Sequence, residues 1–130
     1  NLLFIGAPDE RALCDQIIQE TGIKALNLAG TTSVLESAAL LGECDLLICN
    51  DSAPLHMANA VQTPVFAFFG PTVPSIGYFP MGKDDFVFER ELDCRPCGSH
   101  GSQKCPLGHF RCMRDILPRQ VLEKILKRFP

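Results

Sequence analysis

The sequence has no apolar run close to the roughly 20 residues that a membrane-spanning helix needs, so it predicts no transmembrane segment. It also has no basic excess: twelve Lys and Arg stand against fifteen Asp and Glu, and the net charge of −3 argues against nucleic-acid binding. No signal peptide is predicted from the opening residues either, so we expect the seven cysteines to be reduced thiols. The 130 residues, 46% of them hydrophobic, predict a single soluble, cytoplasmic globular domain.

Three well-known site signatures are missing too. There is no GxGxxG dinucleotide fingerprint, no GxxxxGK[ST] phosphate loop and no GxSxG nucleophile elbow. No internal repeat is found either. A nucleotide site or a hydrolase site of one of these kinds is therefore excluded.

Short apolar runs alternate with helix-forming segments along the chain. Strands are predicted at residues 2–5, 25–28, 46–49, 65–69 and 86–88, and helices at 9–21, 34–41, 54–61 and 117–129. Strands that alternate with helices through short loops form parallel βαβ units, and continuous apolar strands indicate a sheet covered on both faces. The sequence therefore predicts an α/β, Rossmann-like fold with three layers, αβα, around a parallel sheet.

Small and polar residues mark the ends of the predicted helices. Asp9 is expected to cap the first helix and Gly22 to end it. Ser33 and Glu36 have the spacing of a capping box for the second helix. Pro54 suits the first turn of the third helix, where its missing N–H costs nothing.

The turn between the third strand and the third helix is the most informative segment. Asn50, Asp51 and Ser52 follow the strand at once, and His56 lies in the first helical turn. A helix N-terminus carries unpaired N–H groups and a positive dipole end, which suit a phosphate. Ser52 could hold a pyrophosphate and His56 could donate to it. The alternatives are that Ser52 is a plain N-cap and His56 a half-buried helix residue.

Polar loops follow four of the predicted strands, at residues 6–10, 30–33, 50–52 and 70–72. Ligands of open parallel sheets bind beyond the carboxyl ends of the strands, so these loops predict a ligand site at that edge. Asp9 and Glu10 could accept hydrogen bonds from ribose hydroxyls there, or could serve only as helix caps.

The cysteines fall into two groups. Cys14, Cys44 and Cys49 lie in apolar or helical contexts and are interpreted as small buried side chains. The Cys-rich loop at 93–112 holds four candidates for a tetrahedral structural zinc site, with His100 and His109 as substitutes: Cys94, Cys97, Cys105 and Cys112. Because the last two do not form a second CxxC, reduced structural thiols or a disulfide remain as alternatives, and a zinc-binding interaction module remains an alternative function.

Charge is distributed unevenly. Residues 1–88 contain three Lys and Arg against ten Asp and Glu, whereas residues 89–130 contain nine against five. The basic end predicts either an ordinary solvated surface or a face toward an anionic acceptor or a membrane surface, with three arginines as its candidates: Arg111, Arg114 and Arg119.

Several of these stretches together resemble one known family. The run from Asn50 to Ala60, followed by Thr63-Pro64-Val65 and by Phe69-Gly70-Pro71-Thr72, is similar to the signature of the heptosyltransferases of glycosyltransferase family 9. The stretch 28–33 fits as well. Three stretches of the Cys-rich loop resemble the heptosyltransferase II branch: Cys94-x-x-Cys97, Cys105-Pro106-Leu107-Gly108-His109 and Cys112-Met113. The likeness covers nearly the whole chain.

The resemblance implies an inverting enzyme of the GT-B type, with two Rossmann-like domains across a cleft. Its C-terminal domain binds ADP-heptose, and the whole enzyme transfers heptose to the lipopolysaccharide inner core, in the cytoplasm or peripherally at the inner membrane. This chain would be that C-terminal domain. Its missing initiator Met and its start within a strand fit the same expectation. The catalytic base would lie in the N-terminal domain, so no catalytic residue is expected here, and no cofactor is required. A glycosyltransferase that uses another nucleotide sugar is the alternative.

The resemblance also implies which residues meet the donor. The diphosphate and sugar would lie against Asp51, Ser52, Ala53, Pro54, Leu55 and His56, and Ala53 stands where the family usually has Gly. Leu28 and Thr32 would flank the adenine, and Asp9 or Glu10 would meet the ribose. Gly70 and Thr72 complete this substrate-binding set.

Overall fold

A computed structural model of the protein describes residues 1–102 and 104–129. Five strands alternate with helices: β1 (Leu2–Phe4), α1 (Arg11–Thr21), β2 (Ala25–Asn27), α2 (Val34–Gly42), β3 (Leu47–Asn50), α3 (Ala53–Ala60), β4 (Val65–Phe69), β5 (Phe86–Glu89), α4 (Arg111–Arg114) and α5 (Pro118–Arg128). Two short 3-10 turns, Pro8–Glu10 and Pro74–Ile76, lie in the connections. All five predicted strands and all four predicted helices are present, with ends that differ by at most two residues.

Every strand pairing is parallel, as the sequence predicts. β1 pairs with β2, and β3, β4 and β5 form a second ladder in that order. Within the described ranges no ladder joins β1 to β3, so the hydrogen bonds make a two-stranded and a three-stranded sheet. Ile5, directly after β1, packs against the same core as β3 and β4, which keeps the two sheets in one fold.

Side chains alternate between the two faces of the three-stranded sheet, and helices lie on both faces. One face contributes Leu47, Val65 and Ala67 to a buried core that α2 and α3 complete. The other face carries four phenylalanines whose ring centroids lie 4.8–6.0 Å apart: Phe66, Phe68, Phe86 and Phe88. From α5, the ammonium of Lys124 lies 3.8 Å from the centroid of the Phe86 ring. The αβα layering is therefore confirmed.

The first helix begins later than predicted. Asp9 lies inside the 3-10 turn, α1 begins at Arg11, and no side chain caps it. The prediction that Asp9 caps this helix is wrong, because Pro8 opens a tighter turn one residue earlier. The carboxylate of Glu10 instead accepts a hydrogen bond from the N–H of Ala7 at 2.7 Å.

The other predicted helix ends are confirmed, and Pro54 lies in the first turn of α3. Gly22 follows α1 with a φ of 65°, and its N–H donates to the carbonyl of Ile18. In the capping box of α2, the N–H of Glu36 donates to the Ser33 hydroxyl at 3.3 Å, and the N–H of Ser33 donates to the Glu36 carboxylate at 2.8 Å.

The C-terminal third contains one element that was not predicted. α4 begins within the Cys-rich loop, and four residues are too few for a helical periodicity to show in the sequence. α5 follows almost at once. Of the helices that the structure describes, none combines the length and the apolar character that crossing a membrane requires.

Candidate functional site

The turn between β3 and α3 leaves the start of the helix open. Ser52 occupies the N-cap position in an extended conformation, but its side chain makes no capping hydrogen bond. Its hydroxyl lies 3.2 Å from the carbonyl oxygen of Asn50, to which it donates. The plain N-cap interpretation of Ser52 is therefore wrong. Ser52 and Ala53 are both exposed, so the positive end of α3 faces solvent without a side chain of its own to neutralise it.

Asp51 is held in place beside this helix start. Its N–H donates to the carbonyl of Phe68 at 3.1 Å, which ties the turn to the end of β4. The Thr72 hydroxyl, in a residue only 8% exposed, donates to Asp51 Oδ2 at 2.7 Å. Within the described residues Oδ1 has no hydrogen-bond partner, so it is left to accept from a ligand hydroxyl. The loops at 50–52 and 70–72 therefore meet, as the sequence predicts.

The first turn of α3 offers one exposed imidazole. His56 is exposed rather than half-buried, and its ring meets the edge of Tyr78, with centroids 6.2 Å apart and planes at 72°. Tyr78 lies outside every segment that the sequence singles out. The side chain of Leu55 is fully buried in the core and Pro54 is half-buried, so Leu55 can meet a ligand only through its backbone.

The loops at 6–10 and 30–33 also meet, as the loops at 50–52 and 70–72 do. The N–H of Gly30 donates to the carbonyl of Gly6 at 2.9 Å, and the Arg11 guanidinium donates to the carbonyl of Ala29 at 3.0 Å. Gly30 has a φ of +73°, and a Cβ there would lie 2.6 Å from the Cα of Pro8. Only glycine allows so close an approach to Pro8. The approach brings the loop at 6–10, predicted to meet the ribose, against the loop at 28–33, predicted to flank the adenine.

Some of the polar groups in the loops at 6–10 and 28–33 already make hydrogen bonds within the protein. The Thr32 hydroxyl shares a hydrogen bond of 2.8 Å with the hydroxyl of Ser37, and Leu28 is half-buried. One carboxylate oxygen of Glu10 is bound by the Ala7 N–H, whereas Asp9 is exposed at the surface. Both residues are exposed, and of these two candidates for a ribose contact Asp9 is the one for which the structure describes no side-chain hydrogen bond.

Gly70 is enclosed by the C-terminal segment. A Cβ at Gly70 would lie 2.6 Å from the Met113 sulfur, and the residue is buried. The N–H of Cys97 donates to the carbonyl of Pro71 at 2.8 Å. The Cys-rich loop therefore packs directly onto the 70–72 loop, a contact that the sequence reasoning did not anticipate.

All seven cysteines are free thiols. His109 lies between two of them: its Nε2 is 4.0 Å from the Cys94 sulfur and its Nδ1 is 3.9 Å from the Cys105 sulfur. The backbone N–H of Phe110 lowers the pKa of Cys105, whereas burial raises that of Cys97. No three His, Cys, Asp or Glu side chains converge as a metal-binding group in the part of the chain that the structure describes. The zinc site stays a prediction.

The thiols of the first group are less available. Cys14 is buried, as expected, and Cys44 and Cys49 are half-buried. Burial, with the charge of Asp51 as a smaller cause, raises the pKa of Cys49 to about 12, so this thiol stays protonated. Cys49 directly precedes the elbow, the turn of residues 50–52 between β3 and α3.

The three arginines predicted to form a basic face lie at the surface. Arg111 pairs with Asp115 at 3.0 Å, and the Arg114 guanidinium lies 5.8 Å from the centroid of the Phe110 ring. Arg119 is exposed near the start of α5. All three are accessible, but one of the three charges is already partnered.

Comparison with known proteins gives this site a context. Residues 2–107 match the sequence profile of glycosyltransferase family 9 (heptosyltransferase). The lipooligosaccharide heptosyltransferase 2 of Campylobacter jejuni serotype O:6 is 33% identical over 129 residues, which are 97% of this chain and 40% of the relative. The lipopolysaccharide heptosyltransferase 2 of Salmonella typhimurium is 30% identical over 76% of this chain and 27% of its own length. The chain thus spans less than half the length of these relatives.

Solved structures show the same architecture. The ADP-heptose lipopolysaccharide heptosyltransferase II of E. coli superposes with a TM-score of 0.75 over 96% of this chain and 35% of that chain. A family 9 glycosyl transferase from Veillonella parvula gives a TM-score of 0.77 with the same coverage. Both are 22% identical to this chain, so the likeness shows the fold alone. Because the family profile matches most of the chain and relatives of 30–33% identity match most of it too, this chain belongs to glycosyltransferase family 9, the heptosyltransferase family.

Proposed function

We propose that this chain is the donor-binding, C-terminal domain of an inverting heptosyltransferase and that it binds ADP-heptose at the carboxyl ends of β3 and β4. The observation that carries the proposal is the pairing of an uncapped helix start with a fixed carboxylate. Ser52 leaves the N-terminus of α3 open, and Thr72 holds Asp51 beside it with one oxygen free. A nucleotide sugar needs both features, since its diphosphate is anionic and its sugar presents hydroxyl donors.

Each group has a defined task in this arrangement. The diphosphate lies at the start of α3, where the dipole and the backbone N–H of the exposed residue Ala53 favour negative charge, and His56 donates to a phosphate oxygen. The free oxygen of Asp51 accepts a hydrogen bond from a sugar hydroxyl and orients the ring. Asp9 meets the ribose, and the 28–33 loop lies along the adenine.

In the whole enzyme, a base in the other domain takes the proton of the acceptor hydroxyl. That oxygen attacks the anomeric carbon of heptose from the side opposite the leaving group, and the bond from this carbon to the β-phosphate oxygen breaks. ADP leaves with the electron pair, so the configuration at the anomeric carbon inverts. The start of α3 and His56 stabilise the charge that develops on the ADP oxygen. The acceptor is the lipopolysaccharide inner core, and the exposed arginines of α4 and α5 face it from the cytoplasmic side of the membrane.

Calorimetric titration of the 130-residue chain with ADP-heptose and with ADP tests the donor assignment. We expect weak binding, because the chain supplies one side of a cleft, and a Kd for ADP below that for UDP or GDP. Circular dichroism on the same sample confirms that the chain is folded. A folded chain that binds none of these ligands at millimolar concentration would refute the proposal, and a preference for UDP or GDP would transfer it to another nucleotide sugar.

Asp51→Asn with Asp45→Asn as its matched control tests the site itself. Asp45 is an exposed aspartate that precedes β3, at the opposite end of the strand from Asp51. Loss of a charged acceptor that binds a ligand hydroxyl costs roughly 1.5–3 kcal/mol, so Asp51→Asn should weaken ADP-heptose binding about 10- to 100-fold. Asp45→Asn should leave the Kd unchanged. Equal affinities in the two variants would contradict the placement of the sugar at Asp51.

A further inference from the structure

Arg95 is a buried cation at the back of the candidate site. It lies within the Cys94-x-x-Cys97 segment, and its side chain is only 4% exposed. Its guanidinium donates to four backbone carbonyls and pairs with the Glu89 carboxylate at 3.1 Å; the carbonyls are those of Phe69, Gly70, Thr72 and Arg90. A buried charge with this many acceptors is compensated in full, so its role lies in what it holds together.

Three of the four carbonyls belong to one turn, residues 69–72, which leaves β4 at the edge where the ligand is proposed to bind. The distances from Arg95 Nη2 are 3.0 Å to the carbonyl oxygen of Phe69 and 2.7 Å to that of Thr72. Backbone carbonyls that converge in this way repel one another unless a cation lies between them. The guanidinium therefore sets the shape of the turn.

Thr72 passes this constraint on to the elbow. Its backbone is held by Arg95, and its hydroxyl donates to Asp51 Oδ2 at 2.7 Å. A continuous chain of hydrogen bonds thus runs from the Cys-rich loop through Thr72 to the carboxylate beside the start of α3. Arg95 makes no contact with Ser52 or His56 that the structure describes, so its influence on that edge passes through Thr72.

We propose that Arg95 is a positioning residue of the donor site: it fixes Thr72, and through Thr72 it fixes the direction of the Asp51 carboxylate. This inference rests on the proposed function of the elbow. It gives the Cys-rich loop a role in donor binding that requires no metal. It also requires arginine in particular, since the planar guanidinium has five N–H donors in fixed directions and the lysine ammonium has three on a single atom.

Arg90 provides a matched control. It is a half-buried arginine, and like that of Arg95 its guanidinium donates to a backbone carbonyl, that of Asp115, and it also donates to the side chain of Gln120. These bonds tie the end of β5 to α5 and lead away from Asp51. Arg90→Lys keeps the backbone carbonyl that Arg95 binds. We therefore expect both Arg90→Lys and Arg95→Lys to lose stability, but only Arg95→Lys to lose affinity for the donor.

A double-mutant cycle with ADP-heptose tests the proposal. The Kd and the Tm are measured for the unaltered 130-residue chain, for Arg95→Lys, Thr72→Val and their combination, and for two controls, Arg90→Lys and Thr72→Ser. We expect Arg95→Lys and Thr72→Val each to weaken binding about tenfold, and Thr72→Ser, which keeps the hydroxyl, to bind as the unaltered chain does. Because both residues act on one carboxylate, the Kd of the double variant should not exceed the larger of the two single-variant Kd values.

Three results separate the outcomes. If the unaltered, folded chain binds no ADP-sugar, the proposed function fails. If it binds, and Arg95→Lys has the Kd of Arg90→Lys, or the fold-changes of the cycle multiply, the positioning role alone is refuted. If a variant is partly unfolded, the Kd of its folded fraction is obtained from the increase of Tm with ligand concentration. If Arg95→Lys does not fold at all, Arg95→Gln, which keeps an uncharged amide donor, is measured in its place.

Discussion

Replacing Gly30 by alanine tests whether the first two loops meet as the structure shows. Gly30 has a φ of +73°, and an added Cβ would lie 2.6 Å from the Pro8 Cα, 3.0 Å from its Cβ and 3.2 Å from its Cγ. The left-handed conformation costs an alanine roughly 1–2 kcal/mol. The collision with a backbone atom adds about 1–3 kcal/mol, since the Cα of Pro8 cannot rotate away. We expect Gly30→Ala to lower the free energy of unfolding by about 2–5 kcal/mol in total.

Gly22 supplies the control for the conformational part. Its φ of +65° is nearly the same, but a Cβ there would have no atom within 4 Å. Gly22→Ala should therefore cost only the roughly 1–2 kcal/mol of the left-handed conformation. Urea unfolding followed by circular dichroism gives both free energies, and the steric part appears as their difference. About 1 kcal/mol corresponds to a Tm shift of about 4 °C in a domain of this size, so thermal unfolding resolves it as well.

The pair also reports on ligand binding. Gly30→Ala must push the 28–33 loop away from Pro8, so it should weaken ADP binding in the folded fraction, whereas Gly22→Ala should not. If the two variants lost the same stability, the close approach of Gly30 to Pro8 would be wrong. If both kept the ADP affinity of the unaltered chain, the assignment of these loops to the nucleotide would be wrong.

Three further predictions concern single features of the chain. The backbone N–H and then the hydroxyl of Ser33 lower the pKa of Glu36 from 4.5, so the stability that this carboxylate contributes is present above pH 4.5 and is lost as the pH falls through the lowered value. The pH dependence of unfolding over that acid range should be shallower in Glu36→Gln, and an unchanged slope would speak against the capping box. If the last four cysteines bind zinc, protein purified without added metal should contain one equivalent by elemental analysis, and Cys94→Ser but not Cys14→Ser should lose it; a folded, metal-free chain would end that prediction. Neutralising three exposed arginines, Arg111, Arg114 and Arg119, in the longer enzyme should weaken acceptor binding and reduce its salt dependence. Unchanged affinity and salt dependence would show that these arginines form an ordinary solvated surface.

Local sequence rules worked where the interacting groups are neighbours in the chain. Ser33 and Glu36 are three residues apart, and the bond that ends α1 at Gly22 spans four residues. Such contacts depend on residue type and spacing alone, so the sequence was enough to predict them. The cap at Asp9 failed under the same rules because Pro8 started a 3-10 turn first, and two competing local signals cannot be ranked from the sequence.

The sequence by itself determined the order of strands and helices, the parallel sheet and the place of the elbow after β3, because apolar periodicity and helix-start residues are written along the chain. Only the tertiary structure decided which groups meet there. Thr72 reaches Asp51 across 21 positions, and Arg95 reaches Thr72 across 23. Contacts between such distant residues depend on how β4 and the Cys-rich loop pack in space. No pattern of neighbouring residues encodes that packing, which is why Arg95 passed unnoticed between two cysteines.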